Sequence, residues 1–293
     1  MVQVICGNDL MRFEVTAHLE YIVKFPSTLI FNIHAQRHHG QTVLQEQFAV
    51  EPYVKAEEFV LEDGGNRFVR LETGRKKRLV VDYSATVDCS YDIIPASEID
   101  PMPVSAIDRK AIPFLFPSRY CQSDRLGRLA WDLFGTIANP YEKVIAIVDW
   151  IHANVEYVRG STDSETSAYD TVAQRTGVCR DFAHLGISLC RALNIPARYF
   201  SGYAYQLQPP DFHACFESYV GGHWLVFDAS GSLERPGAYR LRPRRFRCRR
   251  RQHLRPCPGN RGAGRLPACP RSKVHAPCTE APGQQGNFPE STP

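Results

Sequence analysis

A thiol, an imidazole and a carboxylate stand within one stretch, residues 174–230: Cys179 in GVCRDFAH, His213 in FHACFESYV and Asp228 in WLVFDAS. A cysteine thiol becomes a strong nucleophile when a neighbouring imidazole takes its proton, and a carboxylate on the far side of that ring fixes the tautomer and stabilises the imidazolium. Any one of these residues alone is usually a core or surface residue. Three at this spacing favour a catalytic reading.

The elements that must bring them together are legible. After the break at Thr176-Gly177-Val178, the residues Phe182, Leu185, Gly186, Leu189 and Leu193 recur at helical spacing, and the helix stops at Asn194 with Pro196 just beyond. Cys179 falls in the first turn, where free backbone N–H groups and the positive end of the helix dipole favour a thiolate. Cys190 lacks this setting and reads as a small core residue. Residues 198–205 have strand composition, and a loop with Pro209 and Pro210 leads to two more strands. Gly221-Gly222 is a two-residue hairpin signal between HACFESYV and HWLVFDA. If Val220 faces His223, counting back sets Cys215 opposite Asp228. His213, on the same face as Cys215, is then the diagonal neighbour of Asp228, within side-chain reach.

These residues resemble the transglutaminase-like superfamily, and within it the bacterial two-domain members. The resemblance rests on GVCRDFAH, LCRALNIPARYFSGY, the histidine of FHACFESYV and the aspartate of WLVFDAS. It implies Cys179, His213 and Asp228 as a catalytic triad. It also implies papain-like thiol chemistry, in which the thiolate attacks an amide carbonyl and the acyl-enzyme is released to water or an amine. It leaves the amide unspecified.

The rest of the chain supplies the scaffold. Its 293 residues, 43% hydrophobic and 11% aromatic, suffice for two domains. From Met11 the sequence alternates through Phe13, Val15, Ala17, Leu19, Tyr21, Val23 and Phe25, again through Leu29, Phe31, Ile33 and Ala35, and again from Leu79 to Tyr91. With a turn at 63–66, this predicts an antiparallel β-sandwich over 11–94. Five prolines mark a linker over 95–118, and 119–231 is the catalytic domain. That domain begins with two packing helices, one capped by Ser123 and one opened by Pro140, on which Trp150 and His152 read as core and surface residues. Residues 157–170 form a polar loop, either a cleft rim or an ordinary surface connection. Asp170 or Thr171 caps a short helix, and Arg180 and Asp181 read as structural. The fold class expected is α+β: an N-terminal antiparallel β-sandwich, then a papain-like core of helices on an antiparallel sheet, then a disordered tail.

No apolar run reaches membrane-spanning length and no signal segment opens the chain, so a cytoplasmic protein is expected. The ten cysteines form no CxxC pair and no spaced Cys/His set, which predicts free thiols and no structural zinc. His34, His38 and His39 come nearest to a metal cluster and read as a solvated loop. There is no glycine-rich phosphate loop, and no cofactor is expected.

After Asp228 the composition changes. Residues 232–293 hold thirteen Arg and one Lys against three acids, a net +11; against +4 for the whole chain this leaves −7 for residues 1–231. Ten of the 21 prolines and four of the ten cysteines also lie here, without hydrophobic periodicity, which predicts disorder. Taken literally, PRRFRCRRR (243–251) is a tether for nucleic acid or another anionic surface. A second reading starts from the genetic code. Arginine is mostly CGN, and a one-base shift through Pro236–Arg251 permits LVRIAYGRDASDVAVA, a string like that which bacterial relatives carry after the aspartate. This predicts a frameshift near Ser232–Arg235, and with it a catalytic sheet lacking its native last strands.

The sequence thus predicts a thiol enzyme acting on peptide or isopeptide-like amides of a protein or peptide substrate, with no membrane partner. Its rivals are an inactive binding or scaffold module of the same fold, and a nucleic-acid-binding protein that works through its tail.

Overall fold

The computed structural model describes residues 11–38, 40–61, 65–90, 92–204, 207, 211–231 and 238–240. The expected sandwich forms from β1 (Met11–Ile22), β2 (Thr28–Phe31), β3 (Gln41–Glu51), β4 (Ala56–Val60), β5 (Arg67–Glu72) and β6 (Arg78–Cys89). Two three-stranded antiparallel sheets, ordered β1-β6-β3 and β2-β5-β4, make its layers. The alternation read along the sequence is the alternation of burial. Phe13, Val15, Ala17 and Leu19 of β1 and Leu79, Val81, Tyr83, Ala85 and Val87 of β6 point inward, against Phe31, Val69 and Leu71. Each large side chain so buried contributes roughly 1.5–3 kcal/mol.

The histidine reading needs correction. His34 is not solvated: it is 1% exposed and packs against the rings of Tyr83 (centroids 4.6 Å apart) and Phe48 (5.2 Å). The imidazole has the size of a core aromatic, and the strand that ends at Phe31 carries it inward. His38 accepts the Gly40 N–H at 3.1 Å, and His39 lies outside the described residues. So do residues 62–64, which hold the first half of the expected 63–66 turn.

The second half contributes β7 (Asp92–Ile94), α1 (Gly127–Phe134), α2 (Pro140–Asn154), β8 (Glu156–Tyr157), α3 (Ala168–Gln174), β9 (Thr176–Gly177), α4 (Cys179–Ala192), β10 (Ala197–Tyr203), β11 (Phe212–Val220), β12 (His223–Phe227) and β13 (Ala238–Arg240). Five of these strands form one sheet, β10-β11-β12-β13-β7, antiparallel throughout. Two boundaries differ from the sequence reading. β7, which the bounds 11–94 place in the sandwich, pairs instead with β13 of the five-stranded sheet. Within the tail, Ala238–Arg240 forms that β13 beside β12; otherwise the tail, and with it the basic run and the expected disorder, lies outside the described residues.

The helix ends also refine the reading. α1 starts at Gly127, and Ser123, buried in the preceding turn, does not cap it. Asn139 caps α2 by accepting the Tyr141 N–H at 2.9 Å, with Pro140 at its first position. α3 is capped by Ser167, and Asp170 is the returning acid of that capping box rather than the cap. Asn194 closes the turn after α4 at φ 58°, a left-handed conformation that asparagine tolerates.

α4 lies buried between α1, α2, α3 and the sheet. Its close approach to β11 needs Gly186, because a Cβ there would stand 2.5 Å from the Phe216 ring. The other face of the sheet meets the sandwich. Phe200, Cys215 and Val226 join the sandwich core, and Tyr203 donates its hydroxyl to the Ile33 carbonyl at 2.7 Å. No helix among the described residues is long and apolar enough to cross a membrane.

Candidate active site

Cys179 is the first residue of α4 and is partly exposed. The helix start is held by its own acid, since Asp181 accepts the Val178 N–H at 2.9 Å. Its carboxylate also receives the Thr162 hydroxyl at 2.7 Å and Nε and Nη2 of Arg180 at 3.0 and 2.9 Å. Arg180 in turn donates to the Asp163 carbonyl at 2.6 Å. The acid that would oppose a thiolate is therefore paired with an arginine. Its structural role is to tie the loop at Thr162 and Asp163 to the helix start.

The hairpin register is the one the glycines predict. Val220 pairs with His223 and Phe216 with Phe227, so Asp228 follows one step beyond, across from Cys215. Gly221 and Gly222 supply the two positive φ values, 57° and 78°, of a tight hairpin turn. The diagonal contact forms: His213 Nε2 lies 2.9 Å from Asp228 Oδ2, with both side chains buried. Asp228 is itself oriented, because its Oδ1 accepts the Ser230 N–H at 2.8 Å and the Ser230 hydroxyl at 2.7 Å. Burial alone would lower the His213 pKa. The hydrogen bond to Asp228 overrides it, with further contacts to the side chains of Cys179 and Cys215, and the ring is held well above its ordinary value as an imidazolium. With Nε2 given to Asp228, Nδ1 is the nitrogen left for the thiol.

One residue escaped the sequence reading. Tyr157, consigned there to a polar loop, lies on β8, whose parallel pairing sets it beside Gly177, two residues before Cys179. Burial and the adjacent Cys179 raise its phenol above the ordinary value, while the Cys179 backbone N–H, bonded to the phenol oxygen, acts in the opposite direction. Nothing in one sequence marks a two-residue parallel bridge. Ser230 was more legible, since Asp-x-Ser is an Asx-turn pattern. Two other side chains of α4 that could do chemistry by type, Cys190 and His184, are core residues. Cys190 is fully buried, with its thiol pushed up to about 12 by burial. His184 is sandwiched between Tyr120 and Tyr199 and pushed down to about 4 by burial. A cavity of about 260 Å³ lined by Val104, Trp131, Pro196 and Tyr219 lies beyond the other end of α4, away from Cys179.

Comparison with known proteins decides the family. The model "Bacterial transglutaminase, N-terminal domain" matches residues 11–110, and "Transglutaminase-like superfamily" matches residues 128–229. A crystal structure from Cytophaga hutchinsonii, described as a "Putative Cysteine Protease", is 52% identical, with a TM-score of 0.75 over 80% of this chain and 81% of that one. The chain belongs to the transglutaminase-like superfamily. An uncharacterized protein of Mycobacterium leprae is 33% identical over 103 residues, 32% of this chain and 37% of that protein. One from Mycobacterium tuberculosis is 40% identical over 60 residues, 20% of this chain and 19% of that protein. The chain thus spans little more than a third of the first of these relatives and a fifth of the second. The second of the two family models spans Cys179, His213 and Asp228.

Proposed function

We propose that the protein is a thiol enzyme that cleaves or transfers amide bonds of a protein or peptide substrate, with Cys179 as nucleophile, His213 as base and acid, and Asp228 as orienter. The observation that carries this reading is the 2.9 Å His213–Asp228 bond, with the same imidazole in contact with the side chain of Cys179 at the helix start. Membership of the superfamily and the likeness to the Cytophaga structure support a cysteine enzyme.

The steps follow from the groups present. The Cys179 sulfur, its proton held by His213, adds to the substrate carbonyl carbon, and the carbonyl oxygen becomes an oxyanion. We assign two donors to that oxygen, the backbone N–H of Cys179, which is bonded to the Tyr157 phenol oxygen in the resting structure and must turn from it, and the Tyr157 hydroxyl. Collapse expels the amine, which takes the proton from His213 and leaves a thioester. His213 then accepts a proton from water, or from an acceptor amine, as it attacks; the acyl group leaves and the thiol is restored. Hydrolysis is the outcome we assign. The cytoplasm is the location we assign, in keeping with the free thiols of the five described cysteines.

The test is the rate of iodoacetamide alkylation of Cys179 against pH, resolved by peptide mapping, in the wild type and in His213→Ala. Cys179 is expected to react fast below the pH at which ordinary thiols ionise, and to lose that advantage in the variant. Equal behaviour of Cys179 and the other cysteines in both proteins refutes the catalytic reading and favours a scaffold role.

A further inference from the structure

The amide chemistry uses one thiol, yet a second one faces the same imidazole. Cys215 lies two residues from His213 on the same face of β11, across the hairpin from Asp228, and is 3% exposed. A ring nitrogen of His213, the Cys215 sulfur and a carboxylate oxygen of Asp228 all lie within 4.8 Å of one another. Among the described residues this is the single group of three or more such side chains so disposed. Packing alone does not call for a thiol here, since Phe200 and Val226, which join the same core, are hydrocarbons.

We propose that His213, Cys215 and Asp228 form a binding site for a thiophilic divalent cation of the zinc type, and that its occupation switches the enzyme off. One nitrogen, one sulfur and one oxygen are a ligand set that zinc accepts in tetrahedral geometry, with water in the fourth position. The nitrogen–oxygen distance is close to what is needed. Nitrogen and oxygen ligands of a tetrahedral zinc stand about 3.3 Å apart, whereas Nε2 and Oδ2 are 2.9 Å apart around the proton they share. A few tenths of an ångström of opening between them, and approach of the Cys215 sulfur from within 4.8 Å to the roughly 3.6 Å that tetrahedral zinc sets between a sulfur and a nitrogen or oxygen ligand, admits the ion.

Binding exchanges protons for the metal. The Cys215 thiol loses its proton to give the sulfur ligand, and the His213–Asp228 pair loses the proton between Nε2 and Oδ2; both go to solvent, and no redox step is involved. Nε2 is then coordinated and Nδ1 keeps its hydrogen; with the imidazolium charge gone, the Cys179 thiolate takes up a proton from solvent, and the ring, with no free nitrogen, cannot take it back. The ion silences the nucleophile without touching it.

The inference uses the catalytic assignment only for the inhibitory consequence. The site itself is tested in a chain that cannot turn over, so the two readings fail separately. Cadmium is titrated into Cys179→Ala and into the same chain carrying Cys215→Ala or Cys215→Ser, and the metal-to-thiolate absorbance band and bound metal per chain are recorded. Cys179→Ala is expected to bind one more cadmium ion per chain than either double variant. In parallel, zinc is added to the alkylation assay. It is expected to slow Cys179 at least tenfold in the wild type, and to have no such effect in Cys215→Ala or Cys215→Ser. Equal cadmium binding with and without Cys215, or zinc protection of Cys179 that survives loss of Cys215, overturns the proposal. The second outcome would mean that zinc sits on Cys179 itself.

Discussion

Tyr157→Phe removes one hydroxyl beside Cys179 and leaves the ring in its tilted contact with Phe182, at 5.8 Å between centroids. If that hydroxyl donates to the oxyanion, kcat falls by about 10²-fold while KM moves little, because the bond is strongest in the transition state. The check is kinetics on a peptide amide, once one is found by acyl-enzyme trapping; an unchanged kcat removes Tyr157 from the oxyanion site. His184 gives a pH dependence of known sign. Its folded pKa is about 4 against 6.5 for the free side chain, so between these values the unfolded chain holds a proton that the folded chain does not. Its contribution to stability is full above pH 6.5 and is lost as pH falls toward 4, by up to about 3 kcal/mol. Urea unfolding at pH 7 and pH 4.5 should show a smaller drop for His184→Gln than for the wild type.

For the elements, what matters is how the helix that begins at Cys179 is held against the strand that carries His213. Gly186 sits mid-helix, where helix propensity alone says that alanine should stabilise by about 1 kcal/mol. The contact says otherwise. The new Cβ would meet the fully buried Phe216 ring at 2.5 Å, and overpacking of this kind costs about 1–3 kcal/mol. Gly186→Ala is therefore expected to destabilise, and to slow Cys179 alkylation as α4 lifts from β11. A gain in urea midpoint would show that Phe216 can yield and that the close approach is not needed.

The whole molecule is two units sharing a wall. The sandwich core takes in Phe200, Cys215 and Val226 from the catalytic sheet, so the strand bearing His213 is clamped between α4 and the N-terminal domain. The far edge of that sheet is where the sequence changes character. We infer that the reading frame shifts near Ser232–Arg235. Sequencing the gene across this point should find an alternative frame encoding GRDASDV; if none exists, the basic tail is native. Restoring that frame should raise soluble yield, because a native strand would replace the short Ala238–Arg240 segment that pairs with β12.

Much of this was legible in the chain. Alternation with period two wrote the sandwich, since one face of each strand must be dry, and a Gly-Gly pair fixed the β11–β12 register and hence the His213–Asp228 bond. A break followed by period-3.6 apolar residues put Cys179 at a helix start. What local pattern does not encode was left to the tertiary structure: the transfer of β7 to the catalytic sheet, the two-residue β8–β9 bridge that carries Tyr157 to Cys179, the burial of His34, and the meeting of Cys215 with His213 and Asp228. Each depends on contacts between residues far apart in sequence, which are settled only when the chain closes on its core. The sequence by itself determined which chemistry was available, because residue type and spacing along single elements set it; the tertiary structure decided which groups share one imidazole.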